Sequence, residues 1–402
     1  MPGNQINPVA IQAMAEGGID IAGQTPKTQD YYETVGADRL RENGDRSRFA
    51  GGRNRPSGIG RFKRCRGTLV CGVIVGMNQN LARSTEHADT TTSRMTLPQL
   101  EADAFLTDAG LETSLIYNDG LELPDFAAFG LLDTGQGRAA LLAYYERFVR
   151  IAADHRLGVV LETATWRASR DWLTRQGFLA GDMARLNRLA VQLLLELREK
   201  TAGTGSSVII SGCIGPRFDG YAPQRRLSAV EGRAYHAEQV GALAAAGADL
   251  VSALTMTSAD EAIGITSAAK DLEVPVVISF TVETDGRLPD GTPLDGAIQT
   301  LDAATDAYPA YFMVNCAHPE HVAATLAGRG TGITRIRGIR PNASRLSHAE
   351  LDEADELDSG DPAELAAQCL ALRAVNPRLT IMGGCCGTNH EHIVALAKAI
   401  QR

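Results

Sequence analysis

Eight short runs of β-branched and aliphatic residues, each followed by a longer stretch of helical period, divide this chain from Phe105 onward. The runs are FLTDAG (105–110), VVLETAT (159–165), VIISGCIG (208–215), LVSALTM (250–256), VPVVISFTV (274–282), YFMVNCA (311–317), RIRGIRPN (335–342) and LTIMGGCCG (379–387). Their length and β-rich composition read as strands. Between them lie amphipathic segments such as LLAYYERFVRIAADH and LNRLAVQLLLELREK. Another, DPAELAAQCLALRAV, opens with Asp361 as a cap, Pro362 in the first turn and Glu364 as a capping-box partner. A doubly wound open sheet is the main rival, but it rarely needs eight such units in a row. Eight βα units in about 300 residues predict an α/β chain folded as a (β/α)8 TIM barrel.

The first 94 residues differ from the rest. They carry a net charge of +4, against −13 for residues 95–402, and −9 for the whole chain. The segment NGDRSRFAGGRNRPSGIG (43–60) has neither helical nor strand period and reads as disorder or linker. The expected domains are therefore an extension over 1–94, largely disordered and non-catalytic, and a barrel over 95–402. Met95 is a candidate alternative start of translation. The run LVCGVIVGM (69–77) falls short of the roughly 18 apolar residues of a spanning helix, so no membrane is expected as a partner. The acidic balance gives no reason to expect nucleic acid. With no signal peptide at Met1, and seven cysteines, an odd number, widely spread in a large chain, a reducing, cytoplasmic setting is expected.

The cysteines carry the chemical argument. In a barrel of this kind, groups that act sit at the C-terminal ends of strands and in the loops that follow. Cys316 ends the sixth run, and Cys385 and Cys386 end the eighth, directly after Gly383 and Gly384. Those strand ends can converge over the barrel mouth, and the glycines allow two consecutive residues to turn the same way. Three cysteines on a rigid rim with a fourth position open describe a catalytic zinc site. Cys369 has helical core spacing and is expected to pack. Cys213 is either barrel lining or a replacement ligand, with lining preferred. His318 is either a further ligand in a Cys-x-His pairing or a solvated residue where Pro319 opens a helix, and the second is favoured. His390 and His392 read as first-turn helix residues. The acidic stretch SHAELDEADELDSGDP (347–362) reads as a solvated loop and helix rather than a cation site.

Two of these segments resemble signatures of the homocysteine S-methyltransferase family. VNCAHPEHV (314–322) is similar to its Asn-Cys segment, and GGCCGTNHEHI (383–393) to its closing Gly-Gly-Cys-Cys-Gly-Thr element. The resemblance runs from about Phe105 to the C-terminus and implies a (β/α)8 barrel that binds Zn2+ through Cys316, Cys385 and Cys386. DAGLET (Asp108–Thr113) is similar to the family's opening motif, with Ala109 where Gly is more usual. It implies that the loop amides at Gly110 and Leu111, with Asp108, Glu112 and Thr113 beside them, bind an amino-acid substrate. Leu254 occupies the position where many members carry the glutamate that meets the substrate amine. Asp108, Glu112, Glu162 and Glu283 are then the candidate ammonium partners. Asn315 and Asn342 are candidates for orienting groups at the rim, and Asn315 reads equally as a strand-end cap. Separately, NPVAIQAMAEGGIDIAGQTPK (7–27) resembles an internal piece of phosphatase-like arsenate reductases, without their nucleophilic cysteine and arginine loop.

The family resemblance implies methyl transfer from a sulfonium or quaternary ammonium donor to a thiol, most simply homocysteine giving methionine. Trp166, Tyr117, Phe126 and Phe129 are candidates for an aromatic wall against a cationic donor, and equally ordinary apolar loop residues. Two rival readings remain: a barrel that holds zinc or thiols without catalysis, and a zinc hydrolase, for which three thiolates are a poor ligand set. Small-molecule substrates are the expected partners, and the oligomeric state is open.

Overall fold

A computed structural model describes residues 97–221, 225–354 and 356–401. The readings of residues 1–94, including the segment 7–27, lie outside the described residues. The described part is a closed barrel of eight parallel strands in sequential order. The strands are β1 (Phe105–Thr107), β2 (Gly158–Glu162), β3 (Val208–Ile214), β4 (Leu250–Met256), β5 (Val276–Phe280), β6 (Tyr311–Asn315), β7 (Ile336–Arg340) and β8 (Ile381–Met382). Closure comes from β8 on β1, with Phe105 opposite Ile381 and Leu106 opposite Met382.

One principal helix follows each strand: α1 (Gly135–Asp154), α2 (Asp182–Thr201), α3 (Ala229–Ala245), α4 (Ala259–Asp271), α5 (Leu294–Thr305), α6 (Pro319–Leu326), α7 (Pro362–Val375) and α8 (His390–Ile400). Their starts are chemically marked. Thr134 accepts the Gly137 amide before α1, Ser228 and Glu231 close a capping box on α3, and Asn389 caps α8. Asp361 caps α7 as expected, accepting the Glu364 amide. Glu364 does not complete a box, because its carboxylate pairs with Arg345 at 2.5 Å. Among the described residues no helix is long and apolar enough to cross a membrane.

The period of two along each strand sorts side chains into two cores. Val159 and Leu161 of β2 face the helices, whereas Val160 faces the barrel interior with Phe105, Ile209, Cys213, Leu250, Leu254, Val277, Tyr311, Met313 and Ile381. The same alternation carries inward-facing positions up to Glu162, Ser211, Ser252, Ser279 and Asn315, so the interior changes from apolar at its base to polar at its mouth. Ser211 donates to Ser252 at 2.8 Å and Ser252 donates to Glu162 at 2.5 Å, which answers part of that buried polarity.

The expected strands overshoot at their C-terminal ends. β1 stops at Thr107, β2 at Glu162, β6 at Asn315 and β8 at Met382, and the residues trimmed are those that leave the ladder for the barrel mouth. At the base, the Phe105 ring lies against Gly158, where a Cβ would fall 2.0 Å from a ring carbon. Gly158→Ala is expected to lower stability by roughly 1–3 kcal/mol through overpacking. The check is the urea midpoint at unchanged m-value, and a midpoint equal to the parent's would show that Phe105 yields freely.

Candidate metal centre and active site

The three rim cysteines converge. The sulfurs of Cys316, Cys385 and Cys386 all lie within 4.8 Å of one another, the one group of this kind among the described residues. Cys316 Sγ is 3.9 Å from Cys386 Sγ. A tetrahedral ion with bonds of about 2.3 Å to sulfur separates its ligands by about 3.8 Å, so the set matches one zinc. Cys369 packs in α7, as its helical spacing implied, and Cys213 lines the barrel interior, the preferred of its two readings.

Backbone geometry holds this set in place from both sides. β7 separates β6 from β8, and its end takes an amide from each cysteine loop: Cys316 N donates to Arg340 O at 3.2 Å and Cys385 N to Pro341 O at 2.8 Å. Cys316 sits in the left-handed region at φ 54, a conformation that costs a non-glycine residue about 1–3 kcal/mol. Its carbonyl accepts from His348 Nε2 at 2.8 Å and from Thr281 Oγ1 at 3.3 Å. On β8, Gly384 N donates to Asp108 O at 3.1 Å, and a Cβ on Gly383 would meet Thr107 Oγ1 at 1.8 Å. Gly383 is required by the close approach of β1, and Gly384 by the Thr388 side chain, whose Oγ1 would lie 2.1 Å from a Cβ there. Asn315 is fully engaged: its Oδ1 accepts from Thr255 N and Ser279 Oγ, and its Nδ2 donates to Thr255 Oγ1 and Cys385 Sγ. It ties β4 and β5 to the thiols.

The three thiols share protons unequally. Hydrogen bonds from Cys316, then from Cys386, hold Cys385 well below the usual thiol range, with the charge of Arg340 helping. The same bonds push Cys316 and Cys386 upward. Among the three, Cys385 is therefore the sulfur that gives up its proton most readily.

A cavity of about 400 Å³ opens over the thiols. Asp108, Gly110, Leu111, Glu112, Thr113, Glu162 and Asn315 all line it, and Glu283 does not. Glu283 instead receives His348 Nδ1 at 3.0 Å, behind Cys316. Of the aromatic candidates, Trp166, Tyr117 and Phe126 line the cavity, whereas Phe129 is buried against Phe178. The Gly110 amide donates to Thr388 Oγ1 at 3.2 Å. Leu254 lines the cavity, its side chain in the apolar interior cluster.

Several residues not singled out in the sequence belong here. Arg340, 4 % exposed, extends to Asp108 Oδ1 at 2.7 Å and to Glu162 Oε1 at 3.8 Å. An arginine ending one strand needs acidic partners at neighbouring ends, and the acids at 108 and 162 were the available signal. Tyr221 stacks on His348 with ring centroids 4.3 Å apart, and Asn342 Nδ2 donates to its hydroxyl at 3.4 Å. A ring contact across 127 positions of chain leaves no trace in local pattern. His318 corrects the sequence reading: it is buried, not solvated, and caps α6 by accepting the Glu320 amide. Burial pushes its pKa down to about 4, so it is neutral. His392 is likewise buried in the first turn of α8. The segment 347–362 also departs from a purely solvated loop, because Leu351, Asp352, Glu356, Leu357 and Asp358 wall the cavity.

With this geometry established, the comparisons are direct. The profile of the family described as homocysteine S-methyltransferase matches residues 105–400. Among solved structures, the homocysteine methyltransferase MmuM from Escherichia coli is similar in its oxidized and metallated forms. Each is 22 % identical, with a TM-score of 0.56, over 74 % of this chain and 96 % of that one. Its apo form is 23 % identical, with a TM-score of 0.54, over 74 % and 97 %. At such identity the likeness concerns the fold. No curated protein matches the chain.

Burial raises the carboxylates of the cavity: Asp108 to about 6, Glu162 to about 7 and Glu112 to about 7. For Glu112, burial acts without a close ion pair. The folded chain thus holds this proton more tightly than the unfolded one. Its contribution is favourable at low pH and is lost as pH rises from about 4.5 towards about 7. Glu112→Gln is therefore expected to gain stability over the parent as pH goes from 5 to 8. The gain is bounded by about 3 kcal/mol and reduced by residual solvent contact. Thermal melts at the two pH values check it, and a pH-independent difference would contradict it.

Proposed function

The chain belongs to the homocysteine S-methyltransferase family, and on that premise we propose that it moves a methyl group from a sulfonium or quaternary ammonium donor to the thiol of homocysteine, giving methionine. The observation that carries this reading is the convergence of three cysteine sulfurs at the floor of a cavity large enough for small-molecule substrates. Zn2+ held by Cys316, Cys385 and Cys386 would supply acceptor thiolate at neutral pH, where a free thiol is mostly protonated.

The chain's own residues do the rest. The acceptor sulfur attacks the donor methyl carbon, the bond from that carbon to the donor sulfur or nitrogen breaks, and its electron pair leaves with the donor. The thiol proton is released. The transfer depends on an in-line approach, so the rigid rim matters more than acid or base groups. Trp166, Tyr117 and Phe126 offer faces to a cationic donor, and Glu112, Asp352 and Glu356 add negative charge around the same cavity. Asp108, Gly110, Leu111, Glu112, Thr113 and Glu162 are placed to receive the amino-acid end. Asn315 orients Cys385 rather than substrate, and Glu283 acts through His348 on the Cys316 carbonyl. Residues 1–94 lie outside the matched region and are taken as a non-catalytic extension. Reduced thiols fit a cytoplasmic setting.

Bound metal and turnover test this together. Full-length protein purified under reducing conditions without added metal is expected to carry about one zinc per chain, and Cys386→Ser to lose most of it. Homocysteine is expected to be methylated by one or more of a panel of sulfonium and quaternary ammonium donors. Hydrolysis without a thiol would support the hydrolase, and zinc without turnover a storage or sensing barrel.

His348→Ala removes the donor to the Cys316 carbonyl and the ring under Tyr221. It is expected to weaken zinc affinity by about 10- to 100-fold while leaving the barrel folded. Competition with a chromogenic chelator measures it, and unchanged affinity would show that Cys316 is held without His348.

A further inference from the structure

We infer that Arg340 is the carboxylate-binding residue of the acceptor site, and that with Asp108 and Glu162 it selects thiols bearing an α-amino acid zwitterion. This rests on the acceptor being an amino-acid thiol, as proposed above, and concerns which residue reads its head group.

Arg340 lines the cavity, and its Nε and Nη1 are buried without a hydrogen-bond partner. Its Nη1 comes no closer than 3.8 Å to Glu162, while Nη2 faces Asp108 and donates to Ala109 O at 3.3 Å. A buried donor left unpaired is costly, and ligand-binding sites are where such donors are found. Of the two loop amides that are candidates for the carboxylate, that of Gly110 is occupied by the Thr388 hydroxyl, and the helix that begins at Leu111, Leu111–Thr113, is only three residues long. On β4, Leu254 presents an apolar side chain to the cavity, and the Thr255 hydroxyl beside it is taken up by Asn315 Nδ2 at 2.8 Å.

Charge completes the case. Two carboxylates surround one guanidinium, so the cluster answers a ligand carboxylate at Arg340 only if an ammonium joins Asp108 and Glu162. A zwitterion does both. The position is also right: Arg340 ends β7, between the strands that carry the thiols, and its side chain reaches toward β1 and β2. A head group there leaves a short thiol arm directed at Cys316, Cys385 and Cys386.

The test compares homocysteine with 3-aminopropanethiol, the same thiol without its carboxylate, as acceptors for zinc-loaded full-length enzyme. The methylsulfonium of methionine serves as donor at saturation. In the parent, kcat/KM should favour homocysteine by about 100-fold or more. Arg340→Met should cut that preference at least 10-fold through the KM for homocysteine, with little change for 3-aminopropanethiol. Arg340→Lys, which keeps the charge and stays folded if the Met variant does not, should give an intermediate preference. A structural role alone would lower both thiols equally. An unchanged preference in the Met variant overturns the inference, and where that variant does not fold, so does a folded Lys variant that loses activity on both thiols in equal proportion. Failure of the parent to methylate either thiol with any donor of the sulfonium and quaternary ammonium panel overturns the proposed function, and this inference with it.

Discussion

A guanidinium buried in the mouth of a barrel must be answered by carboxylates, and that requirement organises the catalytic end of this protein. Arg340 meets Asp108 from β1 and Glu162 from β2, so one side chain crosses the mouth and ties three strand ends together. Such a pair adds little net stability over an apolar equivalent, but breaking it strands a buried charge at a cost of about 3–5 kcal/mol. What it gives is position. The Arg340 carbonyl and its neighbour at Pro341 accept the amides of Cys316 and Cys385, so the strand that carries the guanidinium also sets the two cysteine loops. α1 reinforces the same place from outside, with Tyr144 donating to Ala109 O and Tyr145 to Glu162 O, both at 2.8 Å.

Behind the thiols a second chain of contacts holds Cys316 in its left-handed conformation. Glu283 bonds His348, and His348 bonds the Cys316 carbonyl while its face supports Tyr221. The loop that carries Tyr221 is itself pinned at Arg217, whose amide donates to Glu261 and whose carbonyl accepts from Trp172. Strain at one residue persists because surrounding bonds over-determine it. Glu283 thus acts at a distance from the cavity, which explains why an acid at the end of β5 need not touch substrate.

The barrel was legible because eight apolar runs alternate with helical ones and because buried parallel strands have no polar face to disguise them. The cysteine cluster was legible for a related reason: barrel strands place their ends at one mouth, so three cysteines at strand ends must meet. Strand ends themselves were read too long. Thr163 and Cys316 continue the local apolar or β-favouring pattern, and only pairing with neighbours shows where the ladder stops. Arg340 was hidden because RIRGIR looks like an alternating, solvent-facing edge. His318 looked solvated because a cap and a buried cap have the same sequence. Contacts such as Tyr221 with His348 are set by loop packing and have no periodic signature at all.

The balance of charge around the cavity links these parts to the chemistry. Its described lining carries seven carboxylates, from Asp108, Glu112, Glu162, Asp219, Asp352, Glu356 and Asp358, against the two guanidiniums of Arg167 and Arg340. Three thiols that must lose protons sit at the same floor. Burial raises Asp108, Glu112 and Glu162, and the negative groups beside them add to that rise. A divalent ion at the thiols would answer the deepest part of that charge. A cationic methyl donor above it would answer the next layer, and would lose its positive charge in the transfer. The product is then held less tightly than the donor that entered. An electrostatic field of this sign therefore favours entry of the charged donor and release of the neutral product, while the methyl-transfer step itself, in which that positive charge is already being lost, depends on alignment at the rim.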